Sequence, residues 1–424
     1  MSACLQELAA ARADQVHRGI YSVCSAHPWV LEAAMRRAPI DDNPLLIEAT
    51  CNQVNQFGGY TGMTPADFRD RVHKVAARVG FARERILLGG DHLGPHPWQE
   101  LGAERAMIHA AEMVRLYVRE GYAKIHLDTS MPCAGDPKPL PEETIASRAA
   151  FLCSAAEKSS PKNRPVYVIG TEVPTPGGAA EDAAIAVTSR EAAEQAIRVH
   201  HQAFAKAGLD AAWDRVIALV VQPGVEFSHE SVTDYDPSRA KSLCQVLRDH
   251  PKLVFEAHST DYQRQETLGQ LLRDGFAILK VGPALTYAMR QALFALARIE
   301  EQCIPPGQQS SLPRVIERAM LQQPAHWQKH YRGRPQEQHR LRIHSYSDRI
   351  RYYWTEPAVQ QAVENLIANL ESRHIPETML SDVLPSQYKK ARQGALRNAP
   401  LPLIFDKIGE ALDPYIAACS SPAG

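Results

Sequence analysis

Residues 86–91 read Ile-Leu-Leu-Gly-Gly-Asp, a short and almost continuously apolar run that ends on a carboxylate. A longer stretch with helical spacing of its apolar residues follows at 104–120. A short apolar run before such a stretch is typical of a βα unit, and a strand that is apolar on both faces is typical of a parallel sheet. This unit decides the fold because it recurs along the first two thirds of the chain.

Seven further runs repeat the pattern, which makes eight in all. They are Ile20 to Ser25, Leu45 to Thr50, Lys124 to Asp128, Val166 to Glu172, Val216 to Gln222, Leu253 to His258 and Phe276 to Val281. Eight parallel strands close most economically as a barrel. We therefore predict an α/β fold, a (β/α)8 TIM barrel over residues 1–303, with a doubly wound open sheet as the alternative. The alternation of strand and helix patterns ends near Ile304, and residues 304–424 are predicted to form a mainly helical extension packed on the barrel.

The composition disfavours several classes of function. The 424 residues are 45% hydrophobic, and 47 basic side chains against 48 acidic ones leave a formal charge of -1. This balance provides no basic surface for nucleic acid or for an anionic membrane. No apolar run is long enough to span a bilayer, and the first 19 residues are charged throughout, so we expect a cytoplasmic protein that acts on a small molecule. The eight cysteines include no Cys-x-x-Cys pair and are expected to be reduced.

Three common catalytic motifs are missing from the sequence. It contains no phosphate loop of the form Gly-x-x-x-x-Gly-Lys-Ser/Thr, no Gly-x-Gly-x-x-Gly after a strand and no Gly-x-Ser-x-Gly. A kinase, a dehydrogenase and a serine hydrolase are thereby disfavoured, and we expect neither NAD nor pyridoxal phosphate. Lys280 lies in the last strand run. A Schiff-base role stays open for it, although binding a phosphate or closing an ion pair explains it better.

Polar side chains stand where the predicted strands end. They are Ser25, Glu48, Asp91, His92, Asp128, Glu172, Gln222, Glu256, His258 and Lys280. The carboxyl ends of barrel strands share one face, so these groups are predicted to converge on a single mouth.

Two imidazoles and one carboxylate in this set favour a metal site. His92, His258 and Glu172 are ligand types that suit Zn²⁺ or a similar ion, with a position left open for substrate. The alternative is that these side chains only hydrogen-bond one another.

A base near such an ion is needed to move a proton from a substrate hydroxyl. Asp91 is the first candidate because it is adjacent to His92. Asp128, Glu181 and Asp182 are further candidates, although the last two are also compatible with a solvated loop.

Six segments resemble the GatZ/KbaZ family, the Z subunits of D-tagatose-1,6-bisphosphate aldolase. They are residues 19–28, 46–50, 55–63, 89–95, 169–174 and 255–262. The likeness continues at 345–354 and so covers nearly the whole chain. The resemblance implies a barrel distantly similar to the metal-dependent class II aldolases, and the family includes D-tagatose 6-phosphate 4-epimerases.

The resemblance to class II aldolases also implies roles for individual residues. The matching metal ligands are His92, Glu172 and His258, with Asp91 as the acid or base and the acidic loop at Glu181-Asp182. Two departures stand out. Gln222 replaces a histidine, so the fourth metal ligand would be this weaker group or a water, and Ser259-Thr260-Asp261-Tyr262 replaces a glycine-serine phosphate loop. Asp261 would repel a phosphate placed there.

The second departure favours a substrate with one phosphate. The C4 proton of a 2-ketose is not acidic, so inversion there needs oxidation or cleavage of the C3–C4 bond. Without a dinucleotide site, cleavage is the remaining route. We therefore expect a metal-dependent D-tagatose 6-phosphate 4-epimerase that also acts on D-fructose 6-phosphate. A bisphosphate aldolase subunit, either catalytic or stabilising a class II Y subunit, is the alternative; a sugar-phosphate binding module without chemistry is the third.

Several partners and ligands follow from this interpretation. The metal is expected to be Zn²⁺, with Mn²⁺ as an option, and the chain is expected to form a homo-oligomer. The phosphate is expected to contact Ser259, Lys280, Gly282 and Arg349, or Arg351 in place of the last.

Overall fold

The computed structural model describes residues 3–13, 18–39, 43–159, 164–171 and 185–420. Within them, eight parallel strands form a closed barrel with helices between the strands, which confirms the predicted (β/α)8 fold. The barrel strands are β1 Ile20–Val23, β2 Leu45–Thr50, β3 Ile86–Leu93, β4 Lys124–Leu127, β5 Val166–Ile169, β6 Val216–Val221, β9 Val254–Ala257 and β10 Ile278–Val281. Two short strands, β7 Glu226–Phe227 and β8 Val232–Thr233, pair as an antiparallel hairpin between β6 and β9.

The barrel strands are hydrogen-bonded in the order β1-β2-β3-β4-β5-β6-β9-β10, and β10 closes the ring on β1. Each of them is buried along its length, except at Thr50, the partly buried last residue of β2. Burial on both faces is the reason these runs are almost continuously apolar. The polar exceptions are the side chains that face the barrel interior, and they build the site described below.

Helices connect the strands and continue after the last of them. Those of the barrel part are α1 Ala3–Ala13, α2 Pro28–Arg37, α3 Pro65–Val79, α4 Ala103–Arg119, α5 Glu142–Glu157, α6 Arg190–Lys206, α7 Asp210–Trp213, α8 Pro237–Cys244, α9 Val246–Asp249, α10 Gln265–Arg273 and α11 Pro283–Cys303. Local chemistry sets their starts: Thr64 and Asp67 form a capping box at α3, with Pro65 at the first helical position.

The regular elements described after Cys303 are all helical. They are α12 Leu312–Gln322, α13 Pro335–His344, α14 Pro357–Glu371, α15 Glu377–Val383, α16 Pro385–Arg392 and α17 Pro400–Ser420, with short 3₁₀ turns between them. Helix α17 packs against α2, α10 and α11. The division of the chain at residue 303 stays a prediction, because this helical part shares a continuous core with the barrel.

The core has two parts. The larger one lies between the strands and the surrounding helices. The smaller one fills the amino-terminal end of the barrel, where Leu5 and Leu8 of α1 pack with Leu46, Leu87 and Val254 from the strands. Helix α1 therefore closes the end of the barrel opposite the mouth. In the part of the chain that the structure describes, no helix combines the length and apolarity needed to cross a bilayer.

A close backbone contact at the end of β3 leads to the first prediction. A Cβ atom built on Gly94 would lie 1.6 Å from the carbonyl oxygen of Asp128, so Gly94→Ala must displace one of the two chain segments. We expect it to lower the free energy of unfolding by about 1–3 kcal/mol or more, the usual cost of overpacking.

Urea-induced unfolding measures this effect, and Gly102→Ala is the matched control. No atom lies within 4 Å of a Cβ built on Gly102, which precedes α4. That variant should stay within about 1 kcal/mol of the wild type. Equal losses in the two variants would contradict the steric argument.

Candidate metal centre and active site

The barrel interior contains a buried layer of ion pairs above the apolar end. Lys124 Nζ lies 2.8 Å from Glu48 Oε1 and 2.7 Å from Glu256 Oε2. Lys280 Nζ lies 2.5 Å from Glu48 Oε2 and 3.5 Å from Glu256 Oε1. The side chains of Glu48, Lys124 and Glu256 have no exposed surface. Gly89 makes room for this layer, since a Cβ there would lie 2.5 Å from Glu48 Oε1.

Three histidines form the next layer, toward the mouth. The ring centroids of His92 and His258 are 4.8 Å apart, those of His92 and His126 are 5.2 Å apart, and those of His126 and His258 are 5.3 Å apart. All three are buried. The alternation of side chains along a strand explains part of this arrangement, because Lys124 and His126 on β4 share one face.

His92 reaches this layer through an irregularity in β3. The register between β3 and β4 shifts between Gly90 and Leu93, and His92 has a φ of 48°, in the left-handed region. An extra residue in one strand lets two consecutive side chains face the same way. Asp91 and His92 therefore both line the barrel mouth, and the strain at His92 is of the kind that proteins keep at functional sites.

Each imidazole has its own carboxylate partner. His92 Nδ1 lies 2.7 Å from Asp128 Oδ2, and His126 Nδ1 lies 2.9 Å from Asp91 Oδ1. His258 Nε2 lies 2.9 Å from Glu256 Oε1. A carboxylate on one ring nitrogen is the usual way in which proteins orient a histidine that binds a metal through the other nitrogen.

The charges in the centre leave an excess of negative charge. The four carboxylates of Glu48, Asp91, Asp128 and Glu256 face the two ammonium groups of Lys124 and Lys280. Burial opposes protonation of His92, but Asp91 and Asp128 outweigh it and raise the pKa of this imidazole above its ordinary value. With His92 protonated and the other two imidazoles neutral, one negative charge is not balanced.

The pKa shifts agree with this description. Burial opposes ionisation of Asp91, but His92 and Lys280 outweigh it and hold the pKa of this carboxyl well below its ordinary value. Burial lowers the pKa of His258 to about 4, against the raising effect of Glu256, so the ring is neutral at physiological pH. Neutral imidazole is the form that binds metal ions.

These residues fit a divalent cation. Asp91, His126, Glu256 and His258 can each offer one ligand atom, and the four atoms lie within 4.8 Å of one another. His126 Nε2 is buried and has no hydrogen-bond partner among the described residues. A bound ion would satisfy that nitrogen and the excess negative charge, and mixed imidazole and carboxylate ligands suit Zn²⁺ or Mn²⁺.

The centre opens into a cavity of about 440 Å³ at the carboxyl ends of the strands. The predicted site residues that line it are Asp91, His92, His258, Ser259, Lys280 and Gly282. The closed barrel thus brings together side chains that are almost 200 residues apart in sequence, as the argument from strand ends predicted. The helical part contributes Arg351, Tyr352 and Trp354 to the wall.

The other predicted site residues have different positions. Asp128 contacts His92 Nδ1 and also accepts hydrogen bonds from the backbone N–H and the hydroxyl of Ser130. Because these bonds fix the carboxylate, Asp128 orients the His92 ring. Gln222 is not part of the cavity wall, and its Oε1 accepts a hydrogen bond from the N–H of Gly224. Glu172, Glu181 and Asp182 lie outside the described residues, and their roles remain predictions.

Three of the four predicted phosphate ligands are engaged by protein groups. The N–H of Gly282 donates to Asp261 Oδ1 at 2.9 Å, and Lys280 donates to Glu48 and to Asp91. The guanidinium of Arg349 donates to the carbonyl of His326, and Arg349 is not part of the cavity wall. Ser259 lines the cavity with a φ of 53° and remains a proposed phosphate contact.

Sequence reasoning placed Glu256 among the groups at the mouth but did not name it as a metal ligand, and it missed His126. The alternation Lys124, His126, Asp128 along one strand was a signal that could have found His126, because residues two apart share a face. The same spacing relates Glu256 to His258.

The metal centre leads to a second prediction. His126→Ala and His258→Ala should each lower the affinity for Zn²⁺ by at least about 10- to 100-fold. Loss of a residue that only hydrogen-bonds to a metal ligand already costs that much. Zinc content after dialysis, together with competition against a chromogenic chelator, measures the change.

The control is His374→Ala, since His374 is exposed and follows α14, away from the cavity. It should bind Zn²⁺ as the wild type does. Wild-type affinity in both barrel variants would show that the histidine layer binds no ion.

The fold and the centre together define a class: a (β/α)8 barrel protein with a histidine- and carboxylate-rich candidate metal centre at the carboxyl ends of its strands. Within that class the family is shown by comparison. The model of the family described as "D-tagatose-1,6-bisphosphate aldolase subunit GatZ/KbaZ-like" matches residues 5–420, and the chain belongs to this family.

Solved structures of other proteins resemble this chain to different degrees. A protein of Sinorhizobium meliloti 1021, described as a probable tagatose 6 phosphate kinase, is similar with a TM-score of 0.88 and 49% identity, over 95% of this chain and 100% of that one. A fructose-bisphosphate aldolase of Campylobacter jejuni matches with a TM-score of 0.40 and 14% identity, over 89% of this chain and 92% of that one. A similarity of that size carries no argument.

Proposed function

We propose that this protein is a metal-dependent enzyme that cleaves and re-forms a carbon–carbon bond of phosphorylated ketohexoses, and specifically a D-tagatose 6-phosphate 4-epimerase that interconverts this sugar with D-fructose 6-phosphate. The observation that carries this proposal is that an ionised, buried Asp91 faces one cavity together with His92 and His258, two of the three clustered histidines. Membership of a tagatose-bisphosphate aldolase subunit family supports the sugar, as does the name of the Sinorhizobium meliloti protein.

Inversion at C4 of a ketose requires transient oxidation or cleavage of the C3–C4 bond, because the C4 proton is too weakly acidic to be removed. The sequence has no dinucleotide-binding motif for the first route, so we take cleavage as the reaction. A divalent cation held by the histidine layer and its carboxylates would polarise the ketone and stabilise the charge that develops at cleavage. The remaining requirement is a group that takes the proton from O4 and returns it after the aldehyde half has turned over.

Asp91 Oδ2 is the atom suited to that proton transfer. Oδ1 of the same carboxylate already accepts from Lys280 Nζ at 2.8 Å and from His126 Nδ1 at 2.9 Å. Oδ2 has longer contacts, at 3.7 Å to His92 Nε2 and 4.0 Å to Cys24 Sγ. One oxygen thus fixes the carboxylate, while the other is left to exchange a proton with the substrate.

A single phosphate on the substrate is supported by Asp261. Its Oδ1 accepts hydrogen bonds from the N–H groups of Gly282 and Ala284 at 2.9 and 2.8 Å, at the start of α11. Backbone N–H groups at a helix start are a common phosphate site. Here a carboxylate of the protein occupies that site, which favours a monophosphate over a bisphosphate.

The test is an assay of the purified chain with Zn²⁺ or Mn²⁺. It should convert each of the two sugar 6-phosphates into the other without added NAD, and a chelator should stop the reaction until the metal is restored. Substrate deuterated at C4 should keep its deuterium, because cleavage leaves that hydrogen on the aldehyde carbon. Exchange of the label with solvent, or no turnover with either metal, would contradict the proposal.

The family description favours one second candidate, a subunit of a tagatose-1,6-bisphosphate aldolase. In that case the chain should co-purify with a class II aldolase subunit, and triose phosphate should be released only by the mixture. If the role is purely stabilising, His258→Ala should support the partner's activity as well as the wild type does.

A further inference from the structure

We propose that Arg351, from the helical part of the chain, is the residue that anchors the substrate's phosphate. The identity of the sugar rests on the proposed function above, whereas the anion site rests on the geometry of the cavity. Arg351 lines the same cavity as Asp91 and His258, so a molecule that reaches the metal centre with one end can contact Arg351 with the other.

The cavity has opposite charge at its two sides. The barrel side contains the acidic metal centre, whereas Arg351 and the exposed Arg71 provide two cations on the other side. Two carboxylates also line the cavity. Asp261 is bound to the start of α11, and Glu364 is an exposed residue of α14. A sugar with several hydroxyls and one anionic group matches this distribution.

The guanidinium of Arg351 is held in place but not saturated. Nη1 donates to the carbonyl oxygens of Ser347 and Asp348, and Nη2 donates to the hydroxyl of Tyr352 at 3.0 Å. These contacts use three of its five N–H donors, and the side chain of Tyr60 is a further hydrogen-bond partner, so one donor is left without a protein partner among the described residues. No carboxylate among those residues forms an ion pair with the guanidinium. The free N–H and the positive charge suit the binding of a phosphate oxygen.

Arg351 also keeps its charge in this partly enclosed position. Burial opposes the charge, but Tyr352, Tyr60 and Asp348 outweigh it and raise the pKa of Arg351 above the ordinary value. The Tyr60 and Tyr352 rings meet edge to face at a centroid distance of 4.7 Å, and both line the cavity beside the guanidinium.

The backbone that carries Arg351 is fixed to the barrel. Asp348, with a φ of 42°, accepts a hydrogen bond from Thr286 Oγ1 at 2.6 Å and lies 3.3 Å from Arg290 Nε. Both partners belong to α11, the helix that follows the last barrel strand. The position of Arg351 relative to the metal centre is therefore set by a buried contact, as a site for a substrate of defined length requires.

The test compares Arg351→Met with the wild type by calorimetric titration with inorganic phosphate and with D-tagatose 6-phosphate. Loss of a charged hydrogen-bond donor should weaken the binding of both about 10- to 100-fold. D-tagatose, which has no phosphate, should bind to the variant as it binds to the wild type. Arg340→Gln is the control, because Arg340 is exposed and pairs with Glu230; its affinities should not change.

Arg351→Lys is a second variant that keeps the positive charge and loses the planar guanidinium. Its affinities for both phosphate ligands should lie between those of the wild type and those of Arg351→Met. It also serves if Arg351→Met does not fold. The wild type could bind phosphate but fail to epimerise the sugar, while the Arg351 variants lose the phosphate affinity. That result would support the anion site and contradict the proposed reaction. Wild-type phosphate affinity in Arg351→Met, or no phosphate binding by the wild type, would overturn the inference.

Discussion

Asp91→Asn is expected to lower kcat for the interconversion of the two sugar phosphates by about two to four decades, the contribution typical of a positioned acid or base. Asparagine has the same shape as aspartate but cannot exchange a proton at Oδ2. KM should change little by comparison, because the substrate's phosphate is bound by other groups and three of the four candidate metal ligands, His126, Glu256 and His258, are unchanged. The measurement is steady-state kinetics at saturating Zn²⁺.

The control for this prediction is Asp234→Asn, in which an exposed carboxylate that pairs with Arg264 is changed in the same way. It should leave both kinetic constants unchanged. Zinc content must be measured for both variants, because Asp91 also touches His126. A variant that retains zinc and full kcat would show that the proton is moved elsewhere, and the acidic residues at 172, 181 and 182 would be the next to change.

Lys124→Met is expected to lower the free energy of unfolding by about 3–5 kcal/mol, the cost of removing one partner from a buried ion pair. Lys124 has no exposed surface and bridges Glu48 and Glu256 inside the barrel. Without it, Lys280 is the one ammonium group left beside the two carboxylates. The loss would exceed that of an ordinary core substitution because the remaining charges cannot reach water.

Lys252→Met is the matched control for Lys124→Met. Lys252 pairs with Asp214 at 3.2 Å, but its side chain is 80% exposed. Exposed pairs contribute about 0–1 kcal/mol, so this variant should unfold almost as the wild type does. Denaturant titrations of the two variants measure their free energies of unfolding. Equal values would contradict the claim that burial makes the Lys124 ion pairs costly to break.

The strands were predictable because their signal is local. The run Leu45 to Thr50 has the observed bounds of β2, and most of the other runs differ by one to three residues at one or both ends. A strand covered on both faces must be apolar wherever it does not meet the barrel interior, and that requirement is visible in a single stretch of sequence. The polar residues at the run ends, such as Asp91 and His258, were for the same reason recognisable as exceptions.

The proposed phosphate contact at Arg351 was not predictable in the same way. Arg349 and Arg351 are two residues apart in a segment without strand or long-helix periodicity, and nothing local distinguishes them. A 3₁₀ turn over Arg349–Tyr352 directs one guanidinium to the carbonyl of His326 and leaves the other at the cavity. His126 was missed for a related reason: its role depends on its distance from His92 and His258, which belong to other strands.

The amino-acid sequence by itself determined the eight strand runs, the interior polar residues at their ends and the family resemblance, because backbone preference and the alternation of side chains act over a few neighbouring residues. Only the tertiary structure decided which of those polar groups share a centre. Barrel closure sets the distances among His92, His126 and His258, and the packing of α11 sets the partners of Asp261 and Asp348. Such distances depend on contacts between segments far apart in the chain, and no local pattern encodes them.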